Sequence, residues 1–118
     1  MSTMETGRGG EDAALKYLLS RGMKLLERNY RFGHKEIDLI MQDGMYLVFV
    51  EVKARTSVQY GTPGEAVTGK KQSLLIKAAQ GYMLTHHRVD DFARFDVVEV
   101  ELPSETVTGY IRDAFWMN

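Results

Sequence analysis

The chain has 118 residues, no cysteine and a formal net charge of −1. That length supports one domain, expected to span residues 1–118, and the missing cysteines exclude a disulfide framework and a thiolate zinc site. No apolar run approaches the roughly 20 residues of a membrane span, and Met1 to Arg8 hold no apolar signal segment, so the expected location is cytoplasmic with no membrane partner.

Gly7-Arg8-Gly9-Gly10 reads as a flexible lead-in, and residues 10–21 as a helix closed by Gly22 in the C-terminal capping position. Glu11 precedes Leu15 by four and Leu18 by seven, so it continues the apolar stripe. An acid there is either a first-turn residue favoured by the helix dipole or a site residue. Met23 to Tyr30 reads as a first strand. The next segment, Glu36 to Gln42, a turn at Asp43-Gly44 and Met45 to Lys53, reads as a hairpin. With a two-residue loop at 43–44, Gln42 pairs with Met45. Ile40 then lies beside Leu47, Asp38 beside Phe49 and Glu36 beside Glu51. Alternation places Glu36, Asp38, Glu51 and Lys53 on one face, with Tyr46, Val48, Val50 and Val52 forming an apolar face behind them.

Residues 56–67 read as a loop containing Tyr60-Gly61-Thr62-Pro63-Gly64. Thr68 can cap a second helix over 69–84 with the stripe Leu75, Ile76, Ala79 and Met83. Gln72 continues that stripe at the helix start, beside Lys70 and Lys71. Arg94 to Leu102 and Val107 to Phe115 complete the chain as two strands around a turn at Pro103-Ser104. The order helix, three strands, helix, two strands implies an α/β fold with a mixed sheet of about five strands flanked by helices.

Three carboxylates and one ammonium on one strand pair need a compensating cation, because like charges facing each other destabilise a sheet and buried acids are costly unless paired. Oxygen ligands suit Mg²⁺ or Mn²⁺. Carboxylate-held metal with a nearby lysine is the minimum apparatus for phosphodiester hydrolysis, since it activates water and offsets charge on the phosphate. Charge distribution fits an anionic partner locally. Residues 1–80 hold 12 Lys/Arg and 9 Asp/Glu, whereas residues 81–118 hold 3 and 7. The basic residues surround the hairpin, and the bland alternative is that they are solvated faces. His34, His86 and His87 lack metal-ligand spacing.

Glu36-Ile37-Asp38-Leu39-Ile40, followed by Leu47 through Glu51-Val52-Lys53-Ala54-Arg55, resembles the PD-(D/E)xK nuclease superfamily. Nearly the whole chain is similar to the YraN family of small uncharacterised bacterial proteins. The matching segments are Gly7 to Glu11, Asn29-Tyr30-Arg31, Tyr60-Gly61, Ala66-Val67-Thr68, Lys71, Arg94-Phe95-Asp96-Val97-Val98 and Ala114-Phe115. Lys35 stands where that family usually has glycine. Asp96 matches the family, but between Phe95 and Val97 a structural role is as good a reading.

The resemblance implies a restriction-endonuclease-like fold close to that of archaeal Holliday-junction resolvases. It implies Asp38 and Glu51 as metal ligands, with the carbonyl of Val52, and Lys53 assisting the attacking water. Glu11 would complete the acidic cluster and Gln72 would be the helix-borne polar residue of the site. Glu36 is an accessory candidate, and Arg31, Lys35, Arg55, Lys70 and Lys71 are the candidate contacts to nucleic acid, DNA foremost. The expected activity is Mg²⁺- or Mn²⁺-dependent cleavage of DNA, branched or damaged DNA included. The alternative is a non-catalytic nucleic-acid-binding or partner-docking module on the same scaffold, and a homodimer is expected by analogy with resolvases.

Overall fold

A computed structural model of the protein describes residues 3–56 and 69–116. Helix α1 (Thr3–Ser20) leads into strands β1 (Lys24–Phe32), β2 (Lys35–Asp43) and β3 (Tyr46–Thr56). Helix α2 (Gly69–Thr85) precedes β4 (Phe92–Leu102) and β5 (Thr106–Phe115). The five strands form one sheet in the order β1-β2-β3-β4-β5. β3 and β4 are parallel, joined through α2, and the other three pairings are antiparallel. This is the expected mixed sheet flanked by two helices. The loop expected at 56–67 and the Thr68 cap fall almost wholly outside the described residues.

Each helix covers one face. Ala14 and Leu18 of α1 pack with Leu39, Met41, Val48, Val50, Val98 and Val100. Leu75, Ala78, Ala79, Tyr82 and Met83 of α2 pack with Ile37, Ile40, Leu47, Phe49 and Phe95. β3 therefore carries an apolar residue at every position from Leu47 to Val50, all buried, as a central strand covered on both sides must. None of the described helices is long and apolar enough to cross a membrane.

Two expectations are corrected. Gly7 to Gly10 lie inside α1 rather than forming a lead-in. A Cβ at Gly10 would stand 3.0 Å from the Cβ of Ala54, so glycine lets the helix pass close over the end of β3. The hairpin loop is Gly44-Met45, flanked by the pair Asp43 and Tyr46, rather than Asp43-Gly44. Gly44 has φ 59° and occupies the first loop position, where a type II′ hairpin requires glycine. The register is thus two residues away from the expected one: Ile40 pairs with Phe49 and Leu39 with Val50. A slip of two leaves every side chain on the face it had.

Strict alternation fails at one point. Ile37 and Ile40 both pack toward α2, although they are three residues apart, while Leu39 packs toward α1. The partner strand shows the matching break. Arg28 pairs with Leu39 and reaches α1, whereas Tyr30 pairs with Ile37 and its ring meets Tyr82 of α2 edge-on at 5.2 Å. Between them Asn29 adopts φ 52°. Asparagine tolerates this left-handed conformation better than most residues. Asp38 and Asn29 therefore share one irregular level of the β1–β2 hairpin.

This conformation makes Asn29 sensitive to backbone chemistry. Asn29→Ala is expected to lower stability by about 1 kcal/mol more than Asn29→Gly, because only glycine enters this region without steric cost. Denaturant titration of the two variants measures the difference directly, since both lose the same amide.

Candidate active site

The β2–β3 ladder ends at Leu39 and Val50, while β3 stays paired with β4 as far as Thr56. Beyond that end the two strands part, and the fork exposes main-chain groups of β3. Asp38 fills it: its Oδ2 accepts a hydrogen bond from the Val52 N–H at 2.8 Å. A carboxylate thus replaces the missing ladder partner, and Asp38 and Glu51 flank the same stretch of backbone.

Glu51 continues the β3 face that carries Leu47 and Phe49, toward α2, and is 5% exposed. Three lysines from three elements surround it. Lys71 of α2 places Nζ 2.5 Å from Oε2, Lys53 lies 3.7 Å from the same oxygen, and Lys35 of β2 is 4.0 Å from Oε1. Lys35 and Ile37 both point to this face, so Glu36 between them points to the other. The expectation that Glu36, Asp38, Glu51 and Lys53 share one face is corrected accordingly. Lys35 takes the position given to Glu36, because the alternation breaks at Asp38.

The electrostatics follow from burial. Burial first, then the charge of Glu51, push the Asp38 carboxyl up to about 7, against the opposing hydrogen bond from Val52. Burial and the neighbouring Lys71 ammonium hold Lys53 below the ordinary lysine value. Burial is the largest single influence on Lys71 and works against its charge, but the hydrogen bonds to Glu51 and Lys53 and the charges of Glu51 and Asp38 together outweigh it and keep Lys71 above that value. Of two lysines on one carboxylate, Lys53 is the one that gives up its proton more readily.

Glu11 approaches from α1. Both of its oxygens accept from the Asn29 amide at 3.0 Å, and Arg28 lies 3.3 Å from Oε1. Its charge contributes to the upward shift of Asp38. Among the described residues, no three acidic, histidine or cysteine side chains come together as a ready-made metal cage. Gln72 is half-buried on the first turn of α2, next to Lys71. Arg55 is half-buried near the end of β3, while Lys70 and Arg31 are exposed, the latter opposite Glu36.

Asp96 is a structural residue. It pairs with Val50 and takes two hydrogen bonds from Arg94 at 3.0 and 3.1 Å, one from Tyr110 Oη and one from the Asp113 N–H. This group belongs to the α1 side of the sheet, where Tyr110 packs with Val98 and Val100. His86 stacks on Tyr82 with ring centroids 3.9 Å apart.

Sequence reasoning missed two features. Glu99 is 4% exposed and stands in register with Lys53 across the parallel β3–β4 pair, extending the row Glu51, Lys53. Parallel pairing through a helix leaves no local signal for such an alignment. Lys71, expected as a nucleic-acid contact, is the nearest of the three cations to Glu51.

The fork supplies two carboxylates, both hard donors, and one of the acids is destabilised in its charged form by burial and by the other. This donor set fits Mg²⁺ or Mn²⁺, ions that retain several waters and need few protein ligands.

Comparison with known proteins places these residues in a family. The uncharacterised protein family UPF0102 matches residues 10–100. A UPF0102 protein of Chlorobium chlorochromatii is 49% identical over 98% of this chain and 95% of its own length. One from Symbiobacterium thermophilum is 52% identical over 80% of each chain, and one from Legionella pneumophila is 40% identical over 96% of each.

The raised Asp38 carboxyl has a consequence for stability. The folded chain holds this proton more tightly than the unfolded one, so the contribution is present at low pH and is lost as pH rises from about 4 to about 7. Asp38→Asn can still accept from Val52 but carries no charge. In metal-free buffer it is expected to flatten that decline and to be more stable than wild type at pH 8, by at most about 4 kcal/mol. Denaturant titrations of both proteins between pH 4 and 8 measure it.

Proposed function

The chain belongs to the uncharacterised protein family UPF0102, and we propose that it is a metal-dependent nuclease hydrolysing DNA phosphodiester bonds. The observation that carries this reading is the hydrogen bond from the Val52 N–H to Asp38, which fixes two acids about one residue with Lys53 beside them. Asp38, Glu51 and the carbonyl of Val52 would hold Mg²⁺ or Mn²⁺. Such an ion polarises the phosphoryl oxygens and lowers the pKa of bound water.

The chain's own residues supply the rest. Lys53, held below the ordinary lysine value by burial and Lys71, is suited to take a proton from the attacking water and then to offset negative charge on the phosphate. Glu11, bound by Asn29 and Arg28, borders the acidic centre from α1 and adds negative potential at Asp38. Lys35 and Lys71 give the cleft a positive lining, and Lys70 and Arg55 would extend it toward a polyanion, whereas Arg31, paired opposite Glu36, lies on the other face. Gln72, next to Lys71 on the first turn of α2, would be the helix-borne polar residue of the site. Branched or damaged DNA is included in the proposed substrate class, with a homodimer as the form able to act on two strands.

A second reading has its own support. Lys71, Lys53 and Lys35 neutralise Glu51 without any metal, as suits a nucleic-acid-binding module that does not cleave. A panel of labelled DNAs (single-stranded, duplex, flap and four-way junction) separates the two when incubated with Mg²⁺ or Mn²⁺. The nuclease reading expects cleavage of at least one substrate, reduced by about 100-fold or more in Asp38→Asn and in Lys53→Ala. Metal-independent binding without cleavage, equal in wild type and Asp38→Asn, would select the binding module.

A further inference from the structure

We infer that Lys71 is a tethered counter-ion that occupies the cation position on Glu51 and is displaced when a divalent metal binds. The inference rests on the metal reading above. Lys71 comes from the first turn of α2, a different element from the strand that carries Glu51, and its Nζ is 2.5 Å from Oε2. Lys53 is 3.7 Å from that same oxygen and Lys35 is 4.0 Å from the other. Glu51 is 5% exposed, so an unneutralised charge there would be strongly unfavourable. Lys71 supplies the closest neutralisation, through a charge-assisted hydrogen bond to an oxygen that a metal would also need.

Lys71 and a metal ion would compete for the Glu51 carboxylate: the ammonium holds Oε2 at 2.5 Å, and coordination of a metal at that oxygen displaces it. The lysine side chain is long and its ammonium makes no rigid fork, so a rotamer change is sufficient and α2 need not move. The displaced ammonium remains anchored beside the ion, on the side of the cleft where Lys70 is exposed. A phosphate oxygen is its natural next partner there. Metal binding and the positive face toward a polyanion are thereby linked through one side chain. Lys53 has a different position in this scheme, since it projects from the same strand as Glu51 and is farther from Oε2.

The test is a Mn²⁺ titration of metal-free protein, followed by electron paramagnetic resonance of the free ion. Wild type is compared with Lys71→Met, Lys71→Arg, Lys70→Met and Asp38→Asn. Lys71→Met keeps the apolar stem and removes the competitor, so it is expected to bind Mn²⁺ about tenfold more tightly than wild type. Lys71→Arg keeps the competing charge and stays near wild type. Lys70→Met removes a neighbouring charge, and its expected gain is small. Equal affinity of wild type and Lys71→Met would overturn the inference while leaving the metal reading intact, provided Asp38→Asn binds more weakly. A gain in Lys70→Met as large as in Lys71→Met would also overturn it, by showing only a general effect of charge. If neither wild type nor Lys71→Met binds Mn²⁺, the metal reading and this inference fall together.

Discussion

The site depends on a substitution of one hydrogen-bond acceptor for another. Where β2 leaves β3, the Val52 N–H would lack its ladder partner at the edge of a buried region, and an orphaned main-chain donor there is costly. The Asp38 carboxylate accepts it instead. That bond holds an acid inside the fork, fixes the backbone between Glu51 and Lys53, and brings two negative charges close enough to disturb each other. Pairing of β3 with β4 continues past the fork, so the strand bearing Glu51 and Lys53 remains rigid where its other neighbour has left.

Around this bond, charge is distributed in layers. Asp38 is bordered by Glu11 on the α1 side and by Glu51 on the α2 side. Each of those acids has its own positive partners: Arg28 for Glu11, and Lys35, Lys53 and Lys71 for Glu51. Among the described residues, the direct contact of Asp38 is with a neutral main-chain donor. The least compensated charge of the group is thus the central one. This arrangement differs from a structural ion pair, and the Arg94–Asp96 pair on the opposite face offers the contrast. There the carboxylate is satisfied by four hydrogen bonds from a guanidinium, a phenol and a main-chain amide.

Much of the architecture was legible in the chain. Period-two runs flanking Asp-Gly indicated the hairpin, the apolar even and odd positions of β3 indicated a strand covered twice, and the Leu75–Met83 stripe indicated the helix that covers one side. The pairing of β2 with β3 was misjudged by two residues because glycine occupies the first loop position, not the second. The shared face of Glu51 and Lys53 survived, since it depends only on their spacing. Glu36 did not stay on that face, for a reason invisible in one strand: Asn29 turns left-handed on the neighbouring strand and Asp38 absorbs the change of phase. Gly10 read as a sign of flexibility because its reason, the passage of α1 over Ala54, is a tertiary contact. Glu99 and the contact of Lys71 with Glu51 depend on how β4 and α2 return to β3, and spacing along the chain carries no record of that.

Asn29 has an effect beyond the site it borders. β1 is an edge of the sheet, and its outer backbone groups are a template on which another strand could add. The left-handed residue at 29 and the register shift between Leu25 and Glu27 divide that template into short pieces. An incoming chain cannot form a continuous ladder along it. The irregularity that brings Asp38 into the fork thus also protects the exposed edge, half-apolar with Leu25, Leu26 and Phe32, against intermolecular strand addition and aggregation.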